Sequence, residues 1–176
     1  MDVFEAIRTR RSIREYSPKL VPKKILHKIA ESAQLAPSAS NLQPWHFIFV
    51  TDRDERKQLS EGRWAGFLAE SPVVVVGCGD QKASPSWYRV DVTIALEHIV
   101  LAATSKGLGT CWVGSFDEDK VKQLLKIPEN YRVVSLLALG YPLGKMKPSG
   151  KAGHPIHKRK GLDQIVSYEK FGKQSS

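Results

Sequence analysis

Apolar residues recur at the spacing of an α-helix in two stretches near the N-terminus of the chain. The first helix is predicted to begin after Asp2, which can cap it, and to end in the basic run at residues 8–14. A second helix is predicted to begin at Pro22, which fits a first helical turn, and to stop at Pro37. Residues 36–45 are rich in Pro, Ser and Asn and are predicted to form a loop.

Strands and helices alternate in the rest of the chain. Strands are predicted at residues 46–51, 73–78, 110–113 and 133–139, and the β-branched run at 73–78 is typical of a central strand. Helices are predicted at residues 54–61, 63–70, 89–106 and 118–126, with a loop at residues 79–87. The helix at residues 89–106 is apolar nearly all round, so it must be buried in a core or an interface. We expect an oligomer interface, because the chain is short.

These elements predict one domain with an α+β fold or a three-layer sandwich. The 176 residues are enough to bury a substantial core. No apolar run approaches the roughly 18 residues that cross a bilayer, and the N-terminus resembles no signal peptide, so a cytoplasmic location is expected. Cys78 and Cys111 lie in apolar, strand-like segments and are expected to be buried free thiols.

The net charge of +9 fits nucleic acid, a membrane surface or anionic small molecules, so its placement is more informative than its total. Four segments could carry chemistry: Arg10-Arg11-Ser12-Ile13-Arg14, residues 37–45, residues 107–117 and the basic tail at residues 157–160. Guanidinium groups bind phosphate, and glycines let a backbone approach a ligand closely. A dinucleotide fingerprint is rejected, because a helix precedes the glycines at residues 107–109 and a strand follows them. Taken singly, each signal is weak. A solvated basic turn is favoured for residues 10–14 and a tight connection for residues 37–45, and residues 157–160 are also consistent with a disordered basic tail or a weak nucleic-acid patch.

In combination and in order, these segments resemble the nitroreductase family. The resemblance rests on residues 10–14, 36–47, 107–114, 139–142 and 158–166, and it spans nearly the whole chain. It implies a homodimer with a three-layer α-β-α sandwich, a mostly antiparallel central sheet and two FMN sites, each built from both subunits. It also implies a single domain over residues 1–176, with the basic tail at residues 145–176 wrapping onto the partner subunit.

The resemblance implies roles for individual residues at the FMN site. Arg10 and Ser12 would contact the phosphate and ribityl end, Arg14 would lie near the pyrimidine edge, and Arg11 would contribute through its backbone or charge. From the other subunit, the loop would line the ring and ribityl chain with Pro37, Ser38 and Ala39, and with Ser40 and Gln43 close by. Gly114 and Ser115 would present backbone N–H groups toward flavin N5. The tail would help to neutralise the phosphate with Lys158, Arg159 and Lys160.

The resemblance also implies a reaction. Hydride would pass from NAD(P)H through flavin N5 to a nitroaromatic, quinone or similar acceptor by a ping-pong mechanism. The flavin carries the chemistry, so no catalytic side chain, metal, nucleic acid or membrane is assigned. Larger members place an Asn and a Lys near the flavin from the segment corresponding to residues 63–67, where this chain has neither. Arg63 or a residue of the loop at 79–87 could substitute for them.

Several alternatives stay open at this point. Trp64, Trp87 and Tyr88 could form an aromatic wall over the site or could simply pack in the core or a lid. The chain could be a basic nucleic-acid-binding domain, although its basic residues are scattered and its aromatic residues lie mostly in hydrophobic segments. It could also bind flavin without robust NAD(P)H turnover, or use flavin for reductive dehalogenation or flavin fragmentation.

Overall fold

A four-stranded antiparallel sheet forms the middle layer of the computed structural model, which describes residues 1–62, 64–144 and 159–173. The strands lie in the order β1-β2-β4-β3 and are β1 (Trp45–Val50), β2 (Val73–Asp80), β3 (Gly109–Val113) and β4 (Tyr131–Gly140). The α-helices are α1 (Val3–Thr9), α2 (Lys23–Gln34), α3 (Arg53–Leu59), α4 (Tyr88–Ser105) and α5 (Glu118–Leu125). Short 3-10 turns cover Ala39–Asn41, Gly66–Leu68 and Leu162–Gln164.

Alternate residues of the central strand β2 face opposite helical layers. Val73 and Val75 belong to the core cluster that contains residues of α2 and α4, whereas Val74 and Val76 belong to the cluster that contains residues of α3 and α5. Side chains of a strand alternate between the two faces of a sheet, so helices must cover both faces of an apolar strand. The three-layer α-β-α sandwich with an antiparallel sheet is therefore confirmed, and β2 is the fully buried strand that the sequence predicts.

A bulge keeps the two faces of β4 apolar along its length. Gly77 pairs with Ser135 and Cys78 pairs with Val133, so Val134 has no direct partner in β2. The extra residue moves Val133 onto the same face as Leu136, and both belong to the core cluster on the α3 and α5 side.

The inner faces of the helix α4 are buried by its own chain. The expectation that α4 also contributes to an oligomer interface stays a prediction, because half of its residues are not buried within one subunit. The helix packs against α1, α2 and all four strands. Solvent reaches none of the side chains on its inner faces: Val92, Ala95, Leu96, Ile99, Val100 and Ala103. The sheet covers one side of α4 and α2 covers another, whereas Arg89, Val90 and Thr93 remain exposed.

Several boundaries differ from the predicted ones. Pro22 is the N-cap of α2 instead of a residue of its first turn. The predicted helix at residues 63–70 is reduced to the 3-10 turn Gly66–Leu68, in a segment where Ala65 and Leu68 are buried. Strand β2 extends to Asp80 and shortens the predicted loop at residues 79–87.

The charged helix α3 is held by an arginine at its centre. Arg56 is only 9% exposed, and its guanidinium donates to the carbonyl oxygens of Thr51, Ala69 and Ser71. Desolvation and the charge of Arg53 lower the pKa of Arg56 below its usual value. Its role is structural, because its N–H groups donate hydrogen bonds to three backbone carbonyl oxygens.

Both cysteines are buried free thiols, as the sequence predicts. Burial and the nearby Glu118 raise the pKa of Cys78 to about 12. A thiol with so high a pKa carries almost no thiolate at neutral pH and is a poor nucleophile.

Candidate functional site

The basic run at residues 10–14 lies along the outer edge of β3. Ser12 forms an isolated parallel bridge with Thr110, and the Ile13 N–H donates to the Thr110 carbonyl at 2.9 Å. Ile13 is 5% exposed, and a Cβ added to Gly109 would collide with its side chain. The run is therefore fixed to the edge strand by a backbone hydrogen bond and by one buried side chain.

Two of the arginines and the serine of this run act on the buried thiol of Cys111. Burial raises the pKa of the Cys111 thiol, whereas Arg14, a hydrogen bond with Ser12 and the charge of Arg10 act to lower it. The Arg14 guanidinium lies over the ring of Phe67, 5.8 Å from its centroid. Arg10, Ser12 and Arg14 thus form one cationic group at this edge of the sheet.

Arg11 directs its guanidinium back toward its own helix. Its Nη1 donates to the carbonyl oxygens of Arg8 at 2.7 Å and Arg10 at 2.9 Å. These bonds fix the C-terminal end of α1, so a role for Arg11 is limited to its backbone or its charge.

Gly114 and Ser115 follow directly after β3 and are exposed. A Cβ added to Gly114 would meet no atom within 4 Å, so the space beside its backbone is open. A Cβ added to Gly62 would lie 2.7 Å from the Ser115 carbonyl oxygen, so Gly62 packs directly on Ser115. The contacts of Gly62 with Ser115 and of Phe67 with Arg14 place the basic run and the Gly114–Ser115 backbone around the same segment.

An acidic residue of α4 that the sequence analysis missed also belongs to this edge. Desolvation raises the pKa of Glu97, while Arg10, a hydrogen bond with the Trp112 side chain and His98 act to lower it. The apolar periodicity of α4 gives no signal for this residue, because a half-buried Glu on a long helix is ordinarily a surface charge.

The predicted loop lies before β1 and has a strained backbone. Ser40, Asn41 and Gln43 have positive φ angles of 49°, 55° and 47°, a region that residues other than glycine rarely occupy. The loop is held internally by the Gln43 N–H, which donates to the Ser38 hydroxyl at 2.9 Å. It is held externally by the Ala39 N–H, which donates to Asp91 Oδ1 of α4 at 3.1 Å.

The loop and the basic run lie at opposite corners of the sheet. Strands β1 and β3 are its two edges, three strand spacings apart, or about 14 Å. Trp45, directly after the loop, pairs with Gly79 at one end of β2. Thr110 pairs with Leu139, which pairs with Val73 at the other end of β2. One chain therefore places Arg10, Ser12, Arg14 and the backbone of Gly114 and Ser115 along the β3 edge, but it does not bring the loop to this edge.

An open cavity of about 330 Å³ lies beside the loop. It is lined by Pro37, Ser38, Ala39, Trp87, Val90, Asp91 and Ile94. Trp87 is exposed at its rim, whereas Tyr88 is buried against Gly79 and so does not belong to an aromatic wall. Trp64 is exposed on the segment near Phe67.

A cleft of about 450 Å³ lies between α3 and α5, lined in part by Glu61, Gly62, Phe116, Asp117 and Lys120. None of the site residues predicted from the sequence lines this cleft. This cleft is larger than the cavity beside the loop, but its volume does not make it the predicted site, whose residues lie along the neighbouring edge of the sheet.

The basic tail is described only in part. Lys158 lies outside the described residues, and Arg159 and Lys160 are exposed. Every residue from 159 to 173 is exposed, including the large apolar side chains of Leu162, Ile165 and Phe171. In the portions of the chain that the structure describes, no helix is long and apolar enough to cross a membrane.

Known proteins share both the sequence and the fold of this chain. The model of the nitroreductase family matches residues 7–73 and 60–141. A Methanothermobacter thermautotrophicus protein, provisionally named NADH dehydrogenase/NAD(P)H nitroreductase, is 40% identical over 149 residues, which are 81% of this chain and 78% of that protein. The NADH dehydrogenase of Thermus thermophilus is 29% identical over 94% of this chain and 95% of its own length.

Among solved structures, an FMN-dependent nitroreductase from Clostridium difficile superposes with a TM-score of 0.82. It is 28% identical, and the match covers 96% of this chain and 99% of that chain. The family match, which covers most of the sheet and the basic run, confirms the resemblance found in the sequence. The chain belongs to the nitroreductase family of oxidoreductases.

Proposed function

We propose that this chain is an FMN-dependent oxidoreductase that works as a homodimer. It takes hydride from NAD(P)H and transfers it to a nitroaromatic, quinone or similar small acceptor. The observation that carries the proposal is that Arg10, Ser12 and Arg14 lie along the β3 edge of the sheet, which leads into the exposed Gly114–Ser115 backbone. This edge combines cations for a phosphate with accessible backbone for a ring.

The residues of this edge fit FMN in charge and in shape. Guanidinium groups bind phosphate strongly, and Arg10 and Ser12 would hold the phosphate and ribityl end. Arg14 is held near Phe67 and would face the pyrimidine edge, where a positive charge favours the reduced ring. The open space beside Gly114 would admit the ring edge, with backbone N–H groups of Gly114 and Ser115 directed at it. When bound, FMN supplies the redox chemistry by exchanging hydride at N5 in two half-reactions.

The second half of the site would come from a second copy of the chain. The loop with Pro37, Ser38, Ala39, Ser40 and Gln43 is at the far corner of the sheet, so it would line the flavin of the other subunit. Exposed apolar side chains support this pairing, since Val3, Phe4 and Ile7 of α1 have no cover within the described part of the chain. The apolar residues of the tail, with Arg159 and Lys160 ahead of them, would wrap onto the partner subunit and bring positive charge to the phosphate.

The names of the similar proteins support the cofactor and the reductant. The C. difficile structure is described as an FMN-dependent nitroreductase, and the M. thermautotrophicus name includes NAD(P)H. This chain contributes orientation and charge, and the scheme needs no side chain as acid or base. The cytoplasmic location stays a prediction from the sequence.

A spectrum of the purified protein tests the proposal. We expect a yellow protein with flavin absorption that NADH or NADPH bleaches under anaerobic conditions, and that a nitroaromatic or quinone restores. A colourless protein that cannot take up added FMN would contradict the proposal. A yellow protein that neither nicotinamide bleaches would contradict the reductant while leaving the cofactor in place.

A further inference from the structure

In one buried carboxylate, only one of the two oxygens has a hydrogen-bond partner among the described residues. Asp91 lies in the first turn of α4 and is 2% exposed. Its Oδ1 accepts the hydrogen bond from the Ala39 N–H. Its Oδ2 is buried and has no hydrogen-bond partner among the described residues. A buried carboxylate oxygen without a hydrogen-bond partner destabilises the folded chain. A contribution to stability therefore does not by itself explain an aspartate at this position.

The hydrogen bond from Ala39 fixes the loop directly before its strained part. The residues that follow Ala39 include three non-glycine positions with left-handed φ angles, Ser40, Asn41 and Gln43. Such a backbone persists only where its surroundings hold it, and strain of this kind is concentrated at ligand-binding sites. Within the described residues, Asp91 is the side chain outside the loop that is seen to hold its backbone.

The carboxylate of Asp91 lies near the end of a helix and beside apolar side chains. It sits at the N-terminal end of an 18-residue helix, where the helix dipole is positive and favours an anion. Trp87, Val90 and Ile94 line the cavity beside it and are mainly apolar, whereas Ser38 of the loop is polar. The carboxylate of Asp91 therefore supports the loop from behind, at the inner side of the open cavity.

We propose that Asp91 is a positioning residue of the flavin site. Its carboxylate holds the Ala39 N–H, keeps the loop at residues 38–43 in the shape that meets the flavin of the partner subunit, and places a negative charge behind that loop. The proposal rests on the proposed function, since the loop acts on a flavin only in the homodimer. It assigns opposite effects to two charges, because Arg14 favours the reduced anionic flavin and Asp91 disfavours it.

Two substitutions at one position separate the hydrogen bond from the charge. Asp91→Ala removes both, and we expect FMN to bind about tenfold more weakly or worse, as for the loss of a hydrogen bond to a charged group. Asp91→Asn keeps an oxygen that can accept from Ala39 but removes the charge. We expect it to bind FMN nearly as the wild type does and to have a more positive flavin reduction potential.

Asp52→Ala is the matched control. Asp52 also accepts backbone N–H groups at a helix N-terminus, from Asp54 and Glu55 of α3, but it touches neither the loop nor α4. This variant should lose stability in a urea titration while its FMN affinity and its potential stay unchanged. If lost stability alone weakened FMN binding, both Asp91→Ala and Asp52→Ala would bind FMN more weakly than the wild type.

The outcomes distinguish this proposal from the proposed function. If the wild type binds FMN and Asp91→Ala binds it equally well, the positioning role is overturned and the flavin site stands. An unchanged potential in Asp91→Asn, with FMN bound, overturns the effect of the charge. A wild-type chain that binds no FMN overturns the proposed function and this proposal with it.

Discussion

Ser12 and Thr110 join the basic run to the edge of the sheet through a parallel bridge, the one parallel contact beside an antiparallel sheet within the described residues. The bridge is reinforced by the neighbouring hydrogen bond from Ile13 to Thr110. A flexible basic turn would spread its charges into solvent, whereas the charges of Arg10 and Arg14 in this run both act on the buried Cys111. The cationic group is thus a fixed feature of the subunit before any ligand arrives.

The packing of Ile13 on Gly109 predicts that a single added methyl group disturbs the site. In Gly109→Ala the new Cβ collides with Ile13, so the run at residues 10–14 must shift away from β3. We expect a loss of about 1–3 kcal/mol in the free energy of unfolding and a lower flavin content. Gly66→Ala is the control, because a Cβ there meets no atom within 4 Å. Equal flavin content in both variants would show that the run does not depend on this contact.

The position of Arg10 predicts that its charge decides whether FMN stays bound. Arg10→Glu would put an anion beside the phosphate and beside Glu97, so we expect the purified variant to lose most of its flavin. Lys24→Glu makes the same change in net charge on exposed α2 and should keep its flavin. Absorbance of flavin relative to protein measures both, and full occupancy in Arg10→Glu would refute the phosphate assignment.

The buried guanidinium of α3 predicts a stability effect without a functional one. Arg56→Ala leaves the carbonyl oxygens of Thr51, Ala69 and Ser71 without their donor, and we expect a loss of about 3 kcal/mol in the free energy of unfolding. Arg53→Ala, one turn away and exposed, should change it by less than about 0.5 kcal/mol. Urea denaturation measures both, and equal midpoints would contradict the role given to Arg56.

The ion pair between α5 and β4 predicts a pH dependence of stability. Glu118 accepts two hydrogen bonds from Arg132, at 2.8 and 2.7 Å, and one from the Val133 N–H at 2.9 Å. Desolvation opposes these bonds, but together they lower the pKa of Glu118 below its usual value of 4.5. A depressed folded-state pKa gives stability that is present above the ordinary pKa and is lost as the pH falls through the folded-state value.

Comparison of the wild type with Glu118→Gln measures that contribution. The difference between their urea midpoints should be largest near neutral pH and should shrink as the pH is lowered below about 4.5. A difference that stays constant over this range would mean that the charge of Glu118 does not stabilise the fold.

The sequence predicts the layers of the fold well, because the spacing of apolar residues along a helix or strand shows which of its faces is buried. The run at residues 73–78 is the buried strand β2, and the apolar spacing of residues 25, 29 and 33 is the inner face of α2. It does not predict what buries an element. The helix α4 is apolar nearly all round, and the structure shows that its own chain buries nine of its 18 residues and leaves others, such as Val90, exposed.

The site is predictable in part, because some of its residues lie in recognisable motifs and others depend on contacts with distant parts of the chain. Short motifs of arginine, serine and glycine carry the family resemblance, so Arg10, Ser12, Arg14, Gly114 and Ser115 are predicted before any coordinates, and their roles at a flavin stay predictions. Asp91 and Glu97 are not, since each is one acidic residue in an apolar helix and acquires its role from residues distant in sequence. The left-handed loop is likewise a tertiary result, because Ser40 and Gln43 have no local preference for that backbone.

A mixed dimer tests the central claim, that the basic run of one subunit and the loop of the other form one flavin site. Arg10→Glu damages the run and Ser38→Trp fills the loop side, so each variant alone should be unable to hold FMN. A dimer with one chain of each, isolated by two different affinity tags, has one site with both halves intact. The account predicts one flavin for each mixed dimer, with flavin absorption that NAD(P)H bleaches. A mixed dimer as empty of flavin as its two parents would contradict the account, because it would place the whole site within a single chain.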